Sequence, residues 1–126
     1  MKNEKTIKYV LITSGIFAFI AFVLIFRPVP IVSEEHAITE EGIVASIHSN
    51  KGNDIIFKMK NTSRRFYINR GLENDLKLKE LEKKLIGEKI VVKYPDYWTP
   101  LDWDNQIKHI SKLEFEGKVL FNELRQ

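Results

Sequence analysis

Three aromatic residues, Tyr97, Trp98 and Trp103, fall within the stretch PDYWTPLDWDN at 95–105, and both tryptophans of the chain are among them. Such rings stack on a sugar, a base or a partner side chain, because they offer a large rigid face at little entropic cost. A second group can supply charge and hydrogen bonds. Lys58 and Lys60 alternate with Phe57 and Met59, and Arg65, Tyr67 and Asn69 alternate with Phe66 and Ile68. Along an extended chain one parity faces a core and the other faces solvent. Lys58, Lys60, Arg65, Tyr67 and Asn69 therefore share an outward face, with Arg64 and Arg70 at its ends, and Lys58, Lys60, Arg65 and Tyr67 form the candidate binding set with the three loop aromatics. The competing interpretation is structural: the aromatics fold back as a plug shaped by Pro95 and Pro100, and the cations are a solvated strand face.

No set of residues meets the requirements of a catalytic centre, which needs a nucleophile or acid–base pair within mutual reach. His36, His48 and His109 are scattered, there is no cysteine, and no serine sits in a nucleophile motif. Glu114 and Glu116 lie on one outward strand face beside a turn, where solvation accounts for them. Asp102, Asp104 and Asn105 offer part of a calcium loop but lack its central glycine and closing glutamate. The expectation is thus a protein that is not an enzyme and that uses no metal and no small-molecule cofactor. Asn61, Thr62 and Ser63 match a glycosylation acceptor, which matters only in a eukaryotic secretory pathway.

The elements that must position these residues begin with an apolar run at 7–26 whose one charge is Lys8. About twenty residues at 1.5 Å each span a hydrocarbon core of roughly 30 Å. A cleavable signal would end in small residues, and Arg27, Pro28, Val29 and Pro30 follow instead, so the anchor is expected to remain. Lys2, Lys5 and Lys8 precede the span, and Arg27 is alone for some twenty residues after it, which predicts a cytoplasmic N-terminus at 1–6 and a domain in the periplasm or outside the cell. From Arg27 onward Lys and Arg number 17 against 16 Asp and Glu, a balance of about +1 that argues against nucleic acid as a partner. Ser14, Ala18 and Ala21 fall near one face of the span, the small-residue spacing that lets membrane helices approach.

Pro28 and Pro30 end the helix and make 27–37 an extended tether, which Glu34, Glu35, Glu40 and Glu41 continue as an acidic, solvated stretch. Beyond it the period is two. Ile43, Ala45 and Ile47 can face a core, then Ile55, Phe57 and Met59, then Phe66 and Ile68. Leu78, Leu81 and Leu85 mark a short amphipathic helix closed by Gly87, and Ile90, Val92 and Tyr94 form the inward side of a fourth strand. Residues 107–115 and 118–121 flank a hairpin turn at Glu116 and Gly117.

Three strands, a helix and further strands, with Gly42 inside a long first strand and Glu88, Lys89, Ile90, Val91 and Val92 directly after the helix, resemble an OB-fold domain at 38–126. The resemblance implies a β-rich fold (all-β or α+β), a partly open barrel of five or six strands with one short helix between strands three and four. It further implies a ligand face on strands two and three, framed by the loops joining strands one to two and four to five, where Lys58, Lys60, Arg65, Tyr67 and the aromatic loop fall. The expected function is a membrane-anchored, extracytoplasmic binding or assembly module whose partners are the lipid bilayer and another envelope protein or membrane complex. Alternatives are an accessory or regulatory subunit of a larger membrane complex held through its helix, and a small envelope enzyme.

Overall fold

The computed structural model describes residues 2–125. Helix α1, Lys2–Phe26, contains a stretch of mean hydropathy 2.5 with none of its residues buried, and it is long and apolar enough to cross a membrane. It stops where Pro28 withdraws a backbone donor and bars Arg27 from helical geometry. Strands β1 (Ile38–Ser49), β2 (Ile55–Met59) and β3 (Arg65–Ile68) form a meander, followed by helix α2 (Leu78–Leu85) and strand β4 (Lys89–Tyr94). The chain closes with β5 (Ile107–His109), β6 (Lys112–Phe115) and β7 (Lys118–Asn122). These strands make one seven-stranded mixed sheet in the order β5-β3-β2-β1-β4-β6-β7, in which only the β3–β5 pair is parallel.

The expected barrel of five or six strands is corrected on two points. There are seven strands, and the sheet is not closed into a barrel, since β5 and β7 are its edges. The reason lies at Ile110 and Ser111, where the run expected as one strand breaks. The Ile110 N–H donates to the Tyr67 carbonyl of β3 at 2.8 Å, and the Ser111 N–H donates to the Lys93 carbonyl of β4 at 2.7 Å. The chain crosses from one half of the sheet to the other through single hydrogen bonds rather than a ladder.

The long β1 makes two half-sheets possible, because its residues 38–43 pair with β4 and its C-terminal half pairs with β2. The expected inward set on this strand is also corrected: Val44 and Ile47 are buried, while Ile43 and Ala45 are exposed. The register shifts between Val44, opposite Met59, and Ser46, opposite Lys58, so one extra residue switches the parity that faces the core. Gly42 sits just before this bulge. A Cβ there would lie 2.3 Å from the Met59 sulfur, so the missing side chain is what lets Met59 cross the strand.

Phe57, Phe66, Ile55, Ile68, Leu85, Ile90 and Leu113 fill the centre of the core, with Leu81 of α2 packed beside them. Gly87, at φ 84°, ends α2 and donates its N–H to the Val44 carbonyl at 2.8 Å, while the Val44 N–H donates to Glu88 at 3.0 Å. Glu116 and Gly117, at φ 51° and 76°, make the tight turn between β6 and β7, with both residues left-handed as such hairpins require.

The acids of the 27–37 segment do not behave alike. Glu34 departs from the solvated role expected of it, because it accepts hydrogen bonds from Lys112, at 2.8 Å, and from Lys93. Those bonds, the Lys112 one foremost, hold its carboxyl down to about 2. Alongside, the Arg125 N–H donates to the Val32 carbonyl at 2.8 Å and the Arg125 guanidinium donates to the Ile31 carbonyl at 3.0 Å.

Candidate functional site

The outward parity of β2, β3 and β5 forms the floor of an open groove of about 450 Å³, carrying Ile56, Arg65, Tyr67 and His109. One wall is the β1–β2 turn, with Asn50 and Asp54, and the opposite wall is the 95–106 loop, with Tyr97, Thr99, Leu101 and Asp102. Ile25 and Val29, at the exit of α1, close one side. The groove therefore lies where the domain meets the end of the apolar helix.

Each wall is held by side chain–backbone bonds that its sequence encodes locally. Asn50 Oδ1 accepts the N–H groups of Gly52 and Asp54 at 2.9 and 3.1 Å, an arrangement that asparagine and aspartate favour in turns. Asp54 Oδ1 in turn accepts the Arg70 N–H at 2.8 Å, fastening the turn to the end of β3. Across the groove, Asp102 is nine-tenths buried, and its two carboxylate oxygens accept the N–H groups of Gln106 at 2.9 Å and Ile107 at 3.0 Å. The 95–106 loop is thereby drawn into the start of β5. Ser63 donates to Gln106 Oε1 at 2.8 Å, tying the same loop to the β2–β3 turn.

The membrane-side wall is joined to the loop by Arg27. Its guanidinium donates to the Trp98 carbonyl at 2.6 Å and lies 4.7 Å from the centre of the Tyr97 ring, while the Tyr97 hydroxyl donates to the Arg27 carbonyl at 2.8 Å. Tyr97 is thus held on both its ring and its hydroxyl.

On the floor, the Tyr67 and His109 rings meet edge to face with centres 5.2 Å apart. Burial, then the charge of Asp54, pushes the Tyr67 hydroxyl up to about 12, so it stays protonated. His109 Nε2 is bonded to the Glu123 carboxylate, whereas His109 Nδ1 is buried with no hydrogen-bond partner among the described residues.

Of the residues expected to bind, Arg65, Tyr67 and Tyr97 line this groove together. Lys58 lies with Arg64, Arg65 and Asp104 in a neighbouring open hollow, and Lys60 is exposed and lines neither. Trp98 is half-buried and contributes its carbonyl to Arg27, while Trp103 is 82% exposed and does not line the groove. Arg64 is occupied by an ion pair to Glu40 at 2.6 Å.

Ile25, Val29, Asp54, Thr99, Leu101 and His109 also line the groove and were not among the expected binding residues. Nothing in the sequence around Asn50, Gly52 and Asp54 aims their turn at Tyr97. Among the described residues no group of three His, Cys, Asp or Glu side chains is placed to hold a metal ion. No family model, curated protein or solved structure matches this chain.

Proposed function

We propose that this chain is a single-pass membrane protein whose C-terminal domain, outside the cytoplasm, is an OB-like, non-enzymatic binding and assembly module working through the groove. The observation that carries the reading is the assembly of that groove from the β2–β3–β5 face, two rigid loops and the end of α1. The OB-like assignment is supported by β1 pairing with both β2 and β4, by the parallel β3–β5 pair and by α2 between β3 and β4. In an OB domain the corresponding face and loops hold the ligand. The orientation rests on Lys2, Lys5 and Lys8 preceding the span.

Filling the groove tests the reading. Asn69 is exposed at its edge, so Asn69→Trp blocks entry without touching the core. Partners crosslinked and purified with the full chain from its native membranes should be lost in this variant. A second reading, an accessory subunit held through α1, rests on Ser14, Ala18 and Ala21 near one face of that helix, the small-residue spacing that lets membrane helices approach. On that reading the partner survives Asn69→Trp and is lost when α1 is exchanged for an unrelated span.

A further inference from the structure

We infer that the groove binds a neutral, hydroxyl-rich sugar ring presented at the membrane surface. The inference rests on the groove being the binding surface and goes on to name the chemistry it selects. Charge decides first. Arg65 is the one Lys or Arg among the lining residues, with the Arg27 guanidinium on the Tyr97 ring just outside them, against Asp54 and Asp102 in the lining and Glu123 behind His109. These three carboxylates all act on the Tyr67 hydroxyl in the same direction, disfavouring further negative charge at the floor. A phosphate or carboxylate ligand would meet more acid than base there, whereas a ligand made of hydroxyl donors would not.

Hydrogen-bonding capacity points the same way. The Tyr67 hydroxyl, the Asn69 amide and the Thr99 hydroxyl line the groove and make no hydrogen bond to any described residue. All three both donate and accept, as sugar hydroxyls do. The Tyr97 ring, fixed by Arg27, supplies an aromatic face for the apolar C–H side of a sugar ring, and Ile56 and Leu101 extend that apolar surface. A volume of about 450 Å³ is in the range of small-ligand sites. Because Ile25 and Val29 form one side, the sugar can come from a glycolipid head or from a soluble glycan reaching the membrane.

The test uses the full chain in phosphatidylcholine nanodiscs free of glycoside detergent, with Trp fluorescence and calorimetry as readouts. Discs containing monoglucosyl diacylglycerol should bind saturably, and Tyr67→Phe and Asn69→Ala should each weaken binding by about tenfold while leaving denaturant midpoints near the parent value. Free maltose titrated against sugar-free discs with an affinity matching that of the glucosyl lipid assigns a soluble glycan as the source, and binding only of the lipid-borne sugar assigns the lipid head. Equal binding to phosphatidylglycerol discs, or indifference to both substitutions, overturns the sugar assignment. Asn69→Trp separates the two levels of the reading. Loss of the native partner without any glucosyl-lipid binding overturns the sugar alone, and a partner retained by Asn69→Trp with no sugar bound overturns the binding groove as well.

Discussion

At the scale of single residues, the candidate site depends on Asp102 more than on its tryptophans. Its carboxylate accepts two backbone N–H groups, so Asp102→Ala orphans both and should lower stability by about 1–3 kcal/mol, read as a shift in denaturant midpoint. Trp103→Ala, at an 82% exposed position, should change stability by no more than about 0.5 kcal/mol. A large loss would mean that this ring packs somewhere. Period-two alternation made the outward placement of Arg65 and Tyr67 legible, but it carried no information on loop aromatics. Tyr97 and Trp103 look equivalent in sequence and differ because only Tyr97 meets Arg27. Glu34 gives a pH prediction. Its folded value near 2 lies below the ordinary 4.5, so its contribution is complete above 4.5 and is lost as pH falls towards 2. Exchange protection of the Arg125 amide, which reports this junction, should fall across that window, and Glu34→Gln should remove the pH dependence.

At the scale of elements, two glycines test how strands and turns are packed. A Cβ on Gly71 would lie 2.6 and 2.7 Å from the outer carbons of Ile55, a fully buried branched side chain, whereas a Cβ on Gly42 would meet the movable Met59 sulfur. Gly71→Ala should therefore cost about 1–3 kcal/mol and Gly42→Ala less, with thermal unfolding of both variants deciding the order. A larger loss for Gly42→Ala would contradict this account of the β1 crossing. Helix α2, the Glu116 and Gly117 turn and the inward side of β4 were legible, because each rests on local spacing or turn chemistry. The bulge in β1 was not. Ile43, Ala45 and Ile47 satisfy an unbroken alternation, and only pairing with β2 shows that Ala45 is the extra residue. The break at Ile110 and Ser111 was hidden for the same reason, since it answers to the carbonyls of Tyr67 and Lys93 rather than to its own neighbours.

At the scale of the whole molecule, the groove joins segments that are far apart in sequence, from Ile25 to His109, so its existence could not be read from any one of them. The apolar helix, by contrast, was legible from length and composition alone. If the chain is oriented as proposed, a reporter fused after Gln126 that works only in the cytoplasm should be silent, and one that works only outside it should be active. The reverse pattern would place the groove on the other side of the membrane. One further consequence belongs to the junction of Val32 and Ser33 with Arg125, where the two segments run parallel. Tension between the membrane and anything gripping the C-terminal end would pull these segments past each other along their length. The hydrogen bonds from Arg125 to Val32 and Ile31 would then share the load in shear instead of peeling one by one. Under such tension this junction would take up force before it reached the strands that form the groove.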